Sequence, residues 1–496
     1  MFSPKERRQV GAHYTSERDI LKLVRSLFLD RLRSDFESLA GNKKRLGEFH
    51  KKLATLKFFD PACGCGNFLV VTYRELRRLE IAVLLAIHKT AGGLQQLTDI
   101  NTLSLIDVDS MFGIEINEFP ARIAEVAMWL VDHQMNQELS VVFGQYFYRL
   151  PLVKSATIKN ENALEIDWKT VLPPEKCSYI LGNPPFVGKK EQDKGQKADM
   201  KAVFGKLKGL GVLDYVCCWY LRAMEYIGDR PIDCAFVSTN SITQGEHVGI
   251  FWKELILKHG AIIHFAHRTF AWESEARGKA HIHVVIIGFS KHDRNPKLIF
   301  DYQNAKGDPT VSRVTRISPY LADAPIIFIT SRSRPISEVP RMSYGSMAND
   351  KKKKEKGLGN LILDSKSRKE ILGQSPNMAP YIRQFMGSQE FINNKKRWCL
   401  WLVDAPPEII RSTPAVMERL RKVKECRKAS NRPQTKRLAD TPGIFGEIRQ
   451  PKTKYLLVPK VSSETRLYLP VGFVKPEVIA NGSALRRAAG GNLPVD

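Results

Sequence analysis

Phe58-Phe59-Asp60-Pro61-Ala62-Cys63-Gly64-Cys65-Gly66-Asn67-Phe68-Leu69 is the stretch that decides the fold. Leu56 to Phe59 reads as a short apolar strand that Asp60 ends. A glycine-rich turn then leads into the helical segment NFLVVTYRELRRLE (67–80). Gly64 and Gly66 let the backbone turn tightly and let a ligand approach it closely. The free amides at the helix start suit a carboxylate or phosphate. A G-x-G pair alone would also fit a plain strand–turn–helix connection. Glu115 strengthens the reading, because it closes the next strand, MFGIEI (111–116). An acid at that place accepts hydrogen bonds from ribose hydroxyls; an exposed strand-end carboxylate is the plainer alternative. The interval from Asp60 to Glu115 exceeds the ~20 residues of a simple dinucleotide fold. Residues 81–110 are therefore expected to be an insertion, helical in character. The phosphate loop Gly-x-x-x-x-Gly-Lys-Ser/Thr is absent from the sequence. A nucleoside cofactor without a phosphate chain fits better.

Working outward, the chain alternates short apolar strands with helices. Residues 1–55 read as helices, DILKLVRSLFLDRL having apolar positions at helical spacing. After MFGIEI comes the helix ARIAEVAMWLVDHQM. SYILG (178–182) is a strand and LDYVCCWYLRAMEYI a helix. CAFVST (234–239), AIIHFA (261–266) and HVVIIGF (283–289) are three more strands. This alternation implies an α/β, doubly wound, parallel sheet of Rossmann-like type. The pattern stops near residue 300, and segments such as RWCLWLV look irregular. Three regions are expected: a helical N-terminal segment over 1–50, the α/β domain over 51–315, and an α+β domain over 316–496.

Charge is uneven. The chain has 77 Lys and Arg against 52 Asp and Glu, a net +25. Beyond residue 300 the counts are 36 against 18, leaving 41 against 34 before it. A basic second domain points to a polyanion, since each neutralised phosphate releases counterions. The Lys run NDKKKKEKG (349–357) is either a solvated loop or a loop that meets phosphate. Eight cysteines show no disulfide framework, Cys63 and Cys65 being too close and Cys217 and Cys218 adjacent. The N-terminal stretch carries no apolar signal region. Apolar runs fall far short of the roughly 20 residues that span a bilayer. A cytoplasmic protein without a membrane segment is expected.

Asn183-Pro184-Pro185-Phe186 follows directly on SYILG. Two prolines hold the chain extended at the carboxyl edge of the sheet, where ligands of open α/β folds sit. The residue types suit one chemistry. An adenine amino group is a poor nucleophile, because its lone pair is delocalised into the ring. An Asn oxygen and a neighbouring backbone carbonyl can accept its two hydrogens and free the lone pair. An aromatic residue stacks on a base rotated out of the helix. Neither metal nor strong base is required, and alignment carries the work. The alternative is a rigid turn with no chemistry.

These residues, in this order, resemble the amino-group DNA methyltransferases. Longer stretches resemble one branch, the MmeI-like methyltransferases of type II restriction–modification systems. They include DPACGCGNFLVVTYRELRRLE, GIEINEFPARIAEVAMWLVDHQMN, YILGNPPFVGKKEQ and FVSTNSITQGE. QFMGSQEFINNKKRWCLWL and YLLVPKVSSETRLYLPVGF resemble that branch's target-recognition domain. The resemblance covers nearly the whole chain. It implies a class I methyltransferase domain that uses S-adenosylmethionine and acts on adenine in double-stranded DNA. Asp60, Ala62, Gly64, Gly66 and Glu115 would bind the cofactor, with Asn162 and Ala163 near its adenine. Tyr14 and Thr15, in GAHYTSERDI, would lie near its methionine part. Asn183, Pro184, Pro185 and Phe186 would hold the target base, and Asn at the first position favours adenine over cytosine.

Three departures from the family are visible. Relatives carry a nuclease domain before the GAHYT motif, whereas ten residues precede Gly11 here. No cleavage by this chain is expected, which leaves room for a separate restriction subunit. Cys65 stands where Ser is usual. The C-terminal NGSALRRAAGGNLPVD stops where relatives continue, so a shortened recognition domain is expected.

Other features have plainer readings. His264, His267, His281 and His283 cluster near two strands, where packed or solvent-facing histidines outnumber metal ligands. Phe270 and Trp272 are either a wall of the base pocket or core. The basic helix VMERLRKVKECRK either follows the DNA backbone or presents a solvated face. Two rival functions remain: methylation of an RNA base or a glutamine side chain, and a DNA-binding remnant without activity.

Overall fold

The computed structural model describes residues 16–90, 93–94, 103–144, 154–272, 282–302, 307–332, 342–350, 358–463 and 468–488, with 334, 336, 337 and 466. Two compact units divide the chain, Met1–Ser331 and Arg332–Asp496.

The first unit is built on a nine-stranded sheet. Its strands are β1 (Phe58–Asp60), β2 (Met111–Glu115), β3 (Thr157–Asn160), β4 (Tyr179–Gly182), β5 (Asp233–Thr239), β6 (Ile262–Trp272), β7 (Ile282–Ser290), β8 (Lys297–Asp301) and β9 (Thr310–Val314). They lie in the order β3-β2-β1-β4-β5-β7-β6-β8-β9. The order reverses at β1, the first strand running next to both β2 and β4. That reversal is a topological switch point, which opens a crevice at the strands' carboxyl ends. Phe58, Phe59, Ile180 and Leu181 are fully buried, as strands covered on both faces must be.

The expectation of a doubly wound Rossmann-like sheet is met, but not that of a parallel one. β7 runs antiparallel to both β5 and β6, and β9 antiparallel to β8. The physical reason lies in the connection. Only residues 273–281 separate β6 from β7, and a parallel crossover needs a dozen or more. β3 escaped sequence reading altogether. Thr157-Ile158-Lys159-Asn160 is an edge strand with half its residues exposed, so it lacks an apolar run.

Helices α1 (Glu17–Val24), α2 (Asp30–Ser38), α3 (Lys43–Thr55), α4 (Asn67–His88), α5 (Glu118–Phe143), α6 (Lys194–Phe204) and α7 (Cys217–Ile227) surround the sheet. The insertion after Asp60 is helical as far as His88, where α4 ends. Its return leg is pinned by one buried acid. Glu80 accepts the amides of Leu105 (2.8 Å) and Ile106 (3.1 Å) and the Ser104 hydroxyl (2.8 Å). His50 Nε2 stands 2.8 Å from the same carboxylate. Beside it, the fully buried Arg77 bridges α4 to α5 through Asp132 and Asn136, both at 3.0 Å. None of the described helices is long and apolar enough to cross a membrane.

The second unit is α+β. Its strands are β10 (Ser343–Tyr344), β11 (Ile362–Leu363), β12 (Ile382–Met386), β13 (Trp398–Leu400), β14 (Tyr455–Pro459), β15 (Gly472–Val474), β16 (Ile479–Ala480) and β17 (Ala484–Ala488). They form two sheets, β10-β17-β14-β15 and β11-β13-β12-β16. The stretch RWCLWLV is not irregular: it supplies the interior strand β13, and Cys399, Leu400, Trp401 and Leu402 are buried. The basic segment forms α8 (Pro414–Lys428), with Val416, Leu420 and Val423 facing inward. The Lys run at 351–354 lies outside the described residues.

α8 also buries Arg427 completely. Its guanidinium donates to the carbonyls of Ala348 (2.7 Å), Asn349 (3.1 Å), Leu438 (2.8 Å), Thr441 (2.9 Å) and Ile444 (2.7 Å). One side chain thus satisfies the backbone of two chain segments, 348–349 and 438–444. A buried acceptor left without its donor costs roughly 1–3 kcal/mol. Arg427→Met should therefore destabilise this unit by at least about 4 kcal/mol on that scale. Amide hydrogen exchange would read it: β12–β14 should lose protection while β1–β5 keep theirs. Undiminished protection in β12–β14 would show that the clamp is dispensable.

Candidate active site

The crevice is assembled from four strand ends. β1 delivers Asp60, which is 1% exposed. Its Oδ1 accepts the Ala62 amide at 3.0 Å, and Oδ2 is buried without a hydrogen-bond partner among the described residues. The loop then docks on β2, the Cys63 amide donating to the Ile114 carbonyl at 3.0 Å. Gly66 adopts φ +83°, and a Cβ there would stand 3.0 Å from Ala124 Cβ on α5. Close approach to α5 and the left-handed backbone together require glycine. Cys65, half-buried, is accommodated between the two glycines.

β2 delivers Glu115. Its Oε2 accepts the Gly64 amide at 3.1 Å, and its Oε1 the Asn117 amide at 2.9 Å. β3 delivers the next turn, the Glu161 amide donating to the Glu115 carbonyl at 3.1 Å. In that turn Asn162 Oδ1 accepts the Leu164 amide (3.0 Å), and the Ala163 carbonyl accepts Trp168 Nε1 (2.7 Å). Ala163 is buried.

β4 delivers the tetrapeptide. Gly182, its last residue, packs face-on against the Asp60 carboxyl: a Cβ there would overlap Oδ1 and stand 3.0 Å from Cγ. Asn183 follows, half-buried, then Pro184, buried, and Pro185, half-buried. Phe186 is 8% exposed and belongs to the main core. The structure thus brings Asp60, Ala62, Gly64, Gly66, Glu115, Asn162, Ala163 and Asn183–Phe186 to one edge of the sheet. Tyr14 and Thr15 lie outside the described residues.

Sequence reading missed three residues around this edge. Trp219 on α7 donates Nε1 to the Pro61 carbonyl at 3.1 Å. Asp214 and Gln192 hold the backbone just after Phe186. LDYVCCWYL was read only for helical periodicity, which is blind to an acid or an indole spent on a distant backbone group. Two of the histidines are packed and His283 is exposed. His264 Nε2 meets the His292 carbonyl at 2.7 Å, and His267 lies between Ser26 Oγ (2.9 Å) and Tyr302 OH (2.8 Å). Burial pushes His267 down to about 3. His281 lies outside the described residues. Phe270 is fully buried beneath the Lys22 ammonium (4.2 Å), so it is core and not a pocket wall.

Residues 36–301 match the family model of the MmeI DNA-methyltransferase domain, and residues 323–488 that of the MmeI target recognition domain. The chain belongs to the MmeI family. Among solved structures, it is similar to the type IIL restriction–modification enzyme MmeI in complex with DNA, with 49% identity and a TM-score of 0.82. That match covers 99% of this chain and 64% of the MmeI chain. DNA methyltransferase A of Bacillus subtilis is 38% identical over 96% of this chain and 52% of its own length. The chain thus spans about half the length of its Bacillus relative. The MmeI likeness accounts for both units, a Rossmann-like methyltransferase domain followed by a recognition domain.

Burial, with a smaller contribution from Glu115, pushes the Asp60 carboxyl up to about 8. A carboxyl whose folded pKa exceeds its unfolded value binds more protons folded than unfolded. Its contribution to stability therefore declines as pH rises from about 4 to about 8. Asp60→Asn keeps the shape and an acceptor for Ala62, so it should flatten that decline. Urea unfolding of both proteins without cofactor at pH 5, 6.5 and 8 tests this. Parallel pH dependence in the two would show that Asp60 is ionised in the fold.

Proposed function

We propose that the chain transfers a methyl group from S-adenosylmethionine to the exocyclic amino group of adenine in double-stranded DNA. The observation that carries this reading is the contact between Gly182 and Asp60. It joins the glycine-rich loop to the Asn183–Phe186 loop through two adjacent strands, so donor and acceptor would be held by one rigid edge. Rigid alignment is what a displacement at a methyl group needs most.

The loop residues suit this cofactor. Among the described residues, nothing stands within 4 Å of where a Gly64 side chain would be, and Asp60 Oδ2 is buried with no hydrogen-bond partner. Asp60, Ala62, Gly64 and Gly66 would hold the methionine part along with Tyr14 and Thr15. Glu115 would accept the ribose hydroxyls, and Asn162 and Ala163 would border the adenine. When bound, S-adenosylmethionine supplies an electrophilic methyl on a positively charged sulfur. Asn183 Oδ1 and the neighbouring backbone carbonyl would accept the two amino hydrogens of the target base. That draws the nitrogen toward a tetrahedral form and frees its lone pair. Pro184 and Pro185 fix the two acceptors in place, and Phe186 would back the base. The amino proton leaves to water after transfer.

The match to a target recognition domain supports DNA over an RNA base or a glutamine side chain, and the two loops held on one sheet edge support an enzyme over an inactive remnant. Labelled S-adenosylmethionine and mixed-sequence duplex, followed by nucleoside chromatography, test the reading. Label should enter N6-methyladenine. Asn183→Ala should lower transfer by about 10³-fold, the scale of one lost transition-state acceptor, with cofactor affinity within about threefold. A folded, cofactor-binding chain that labels no DNA refutes the assignment. Equal loss of both properties in Asn183→Ala would show that its role is different.

A further inference from the structure

We infer that Asp214 is a positioning residue that sets the place of the Asn183–Phe186 loop; the inference rests on the function proposed above. Asp214 is 4% exposed and lies in the turn before α7. Its Oδ1 accepts the Val187 amide at 3.0 Å and the Val216 amide at 3.2 Å. The Val187 carbonyl is held from the same side. It accepts the Tyr215 amide at 3.1 Å and Gln192 Nε2 at 2.9 Å. Gln192, 7% exposed, also donates to the Leu213 carbonyl at 3.0 Å. Both polar groups of Val187, the residue directly after the tetrapeptide, are therefore bound to one short segment, 213–216. The same segment leads into α7, whose Trp219 holds the Pro61 carbonyl in the cofactor loop. One turn thus fixes the base loop and the cofactor loop from behind.

A buried carboxylate is costly unless something demands its charge. Here the demand is for a strong acceptor of two backbone amides. Burial pushes Asp214 up to about 6, the Val216 and Val187 amides and Thr239 at the end of β5 opposing the rise. The Cys217 and Cys218 thiols on α7 also face it, and burial keeps both protonated. Protonation of Asp214 weakens the acceptor, so the clamp should loosen as pH falls through about 6.

Three variants test the inference in the full chain. Asp214→Ala should lower kcat by about a hundredfold, the cost of a misplacement near 1 Å, and leave cofactor affinity unchanged. Asp214→Asn keeps one acceptor oxygen, so it should recover most of that rate at pH 8. It should also lose the acid limb near pH 6 that the wild type shows. Gln192→Leu, which leaves Asp214 intact, should lower kcat by about tenfold, and it decides the matter if Asp214→Ala fails to fold. Amide exchange reads the clamp without any turnover: the Val187 amide should exchange faster in Asp214→Ala. If the wild type transfers no methyl group, the proposed function fails, while the exchange result still decides whether Asp214 holds the loop. A wild-type rate in folded Asp214→Ala, equal losses of rate and cofactor affinity, or unchanged Val187 exchange would overturn the inference.

Discussion

The face of Gly182 against the carboxyl of Asp60 is the contact on which this site depends. β1 and β4 pair directly, and their carboxyl ends deliver the two loops that matter. Strand separation is set by the hydrogen-bond ladder, so the only variable is how closely the two ends pack. A side chain at Gly182 would drive them apart. Glycine there lets a carboxyl fill the gap, and the carboxyl is buried in consequence. The raised pKa of Asp60 is the energetic trace of that packing. The supports around it, Trp219 on the Pro61 carbonyl and Asp214 on the Val187 amide, act on the same two loops from the α7 side.

The two units solve the problem of a buried arginine in opposite ways. Arg77 is neutralised by acids, with Asp132 at 3.0 Å and Glu80 at 3.1 Å, and it joins α4 to α5. Arg427 instead gathers five backbone carbonyls. Carboxylate pairing gives a strong bond between two helices that already carry regular structure. Carbonyl gathering suits a unit with short strands and long connections, because it satisfies backbone groups that no ladder reaches. One arginine of the second unit is thus taken inward to order its loops.

Much of this was legible in the sequence, and the boundary of legibility has a physical meaning. The β1 loop, Glu115 and Asn183–Phe186 could be read because each places particular residue types at short spacing on one turn. The strands β4, β5 and β7 could be read because burial on both faces makes them continuous apolar runs. β3 could not, as an exposed edge strand needs no such run. The antiparallel β7 could not be read, because the apolar runs at 261–266 and 283–289 leave sixteen residues between them, and only the extension of β6 to Trp272 makes the connection too short for a crossover. RWCLWLV was hidden for the opposite reason: a short strand that continues into buried Trp401 and Leu402 has no period to detect. Asp214 and Gln192 were invisible because their partners are backbone atoms, which carry no sequence signature.

Three acids surround the crevice, and raised carboxyls such as Asp60 and Asp214 ordinarily suggest a general base. Their geometry argues otherwise. Asp60 packs against Gly182 and spends Oδ1 on the Ala62 amide, its Oδ2 being left to the cofactor in the proposed reading. Asp214 spends one oxygen on two amides. Glu115 offers one oxygen to Gly64 and the other to Asn117. Each acid is engaged by the backbone of a loop it shapes, so these carboxyls build the site. An amino group whose hydrogens are taken by fixed acceptors does not need a base to become nucleophilic. A site that spends its acids on holding loops in place is the kind that activates an amine by alignment alone.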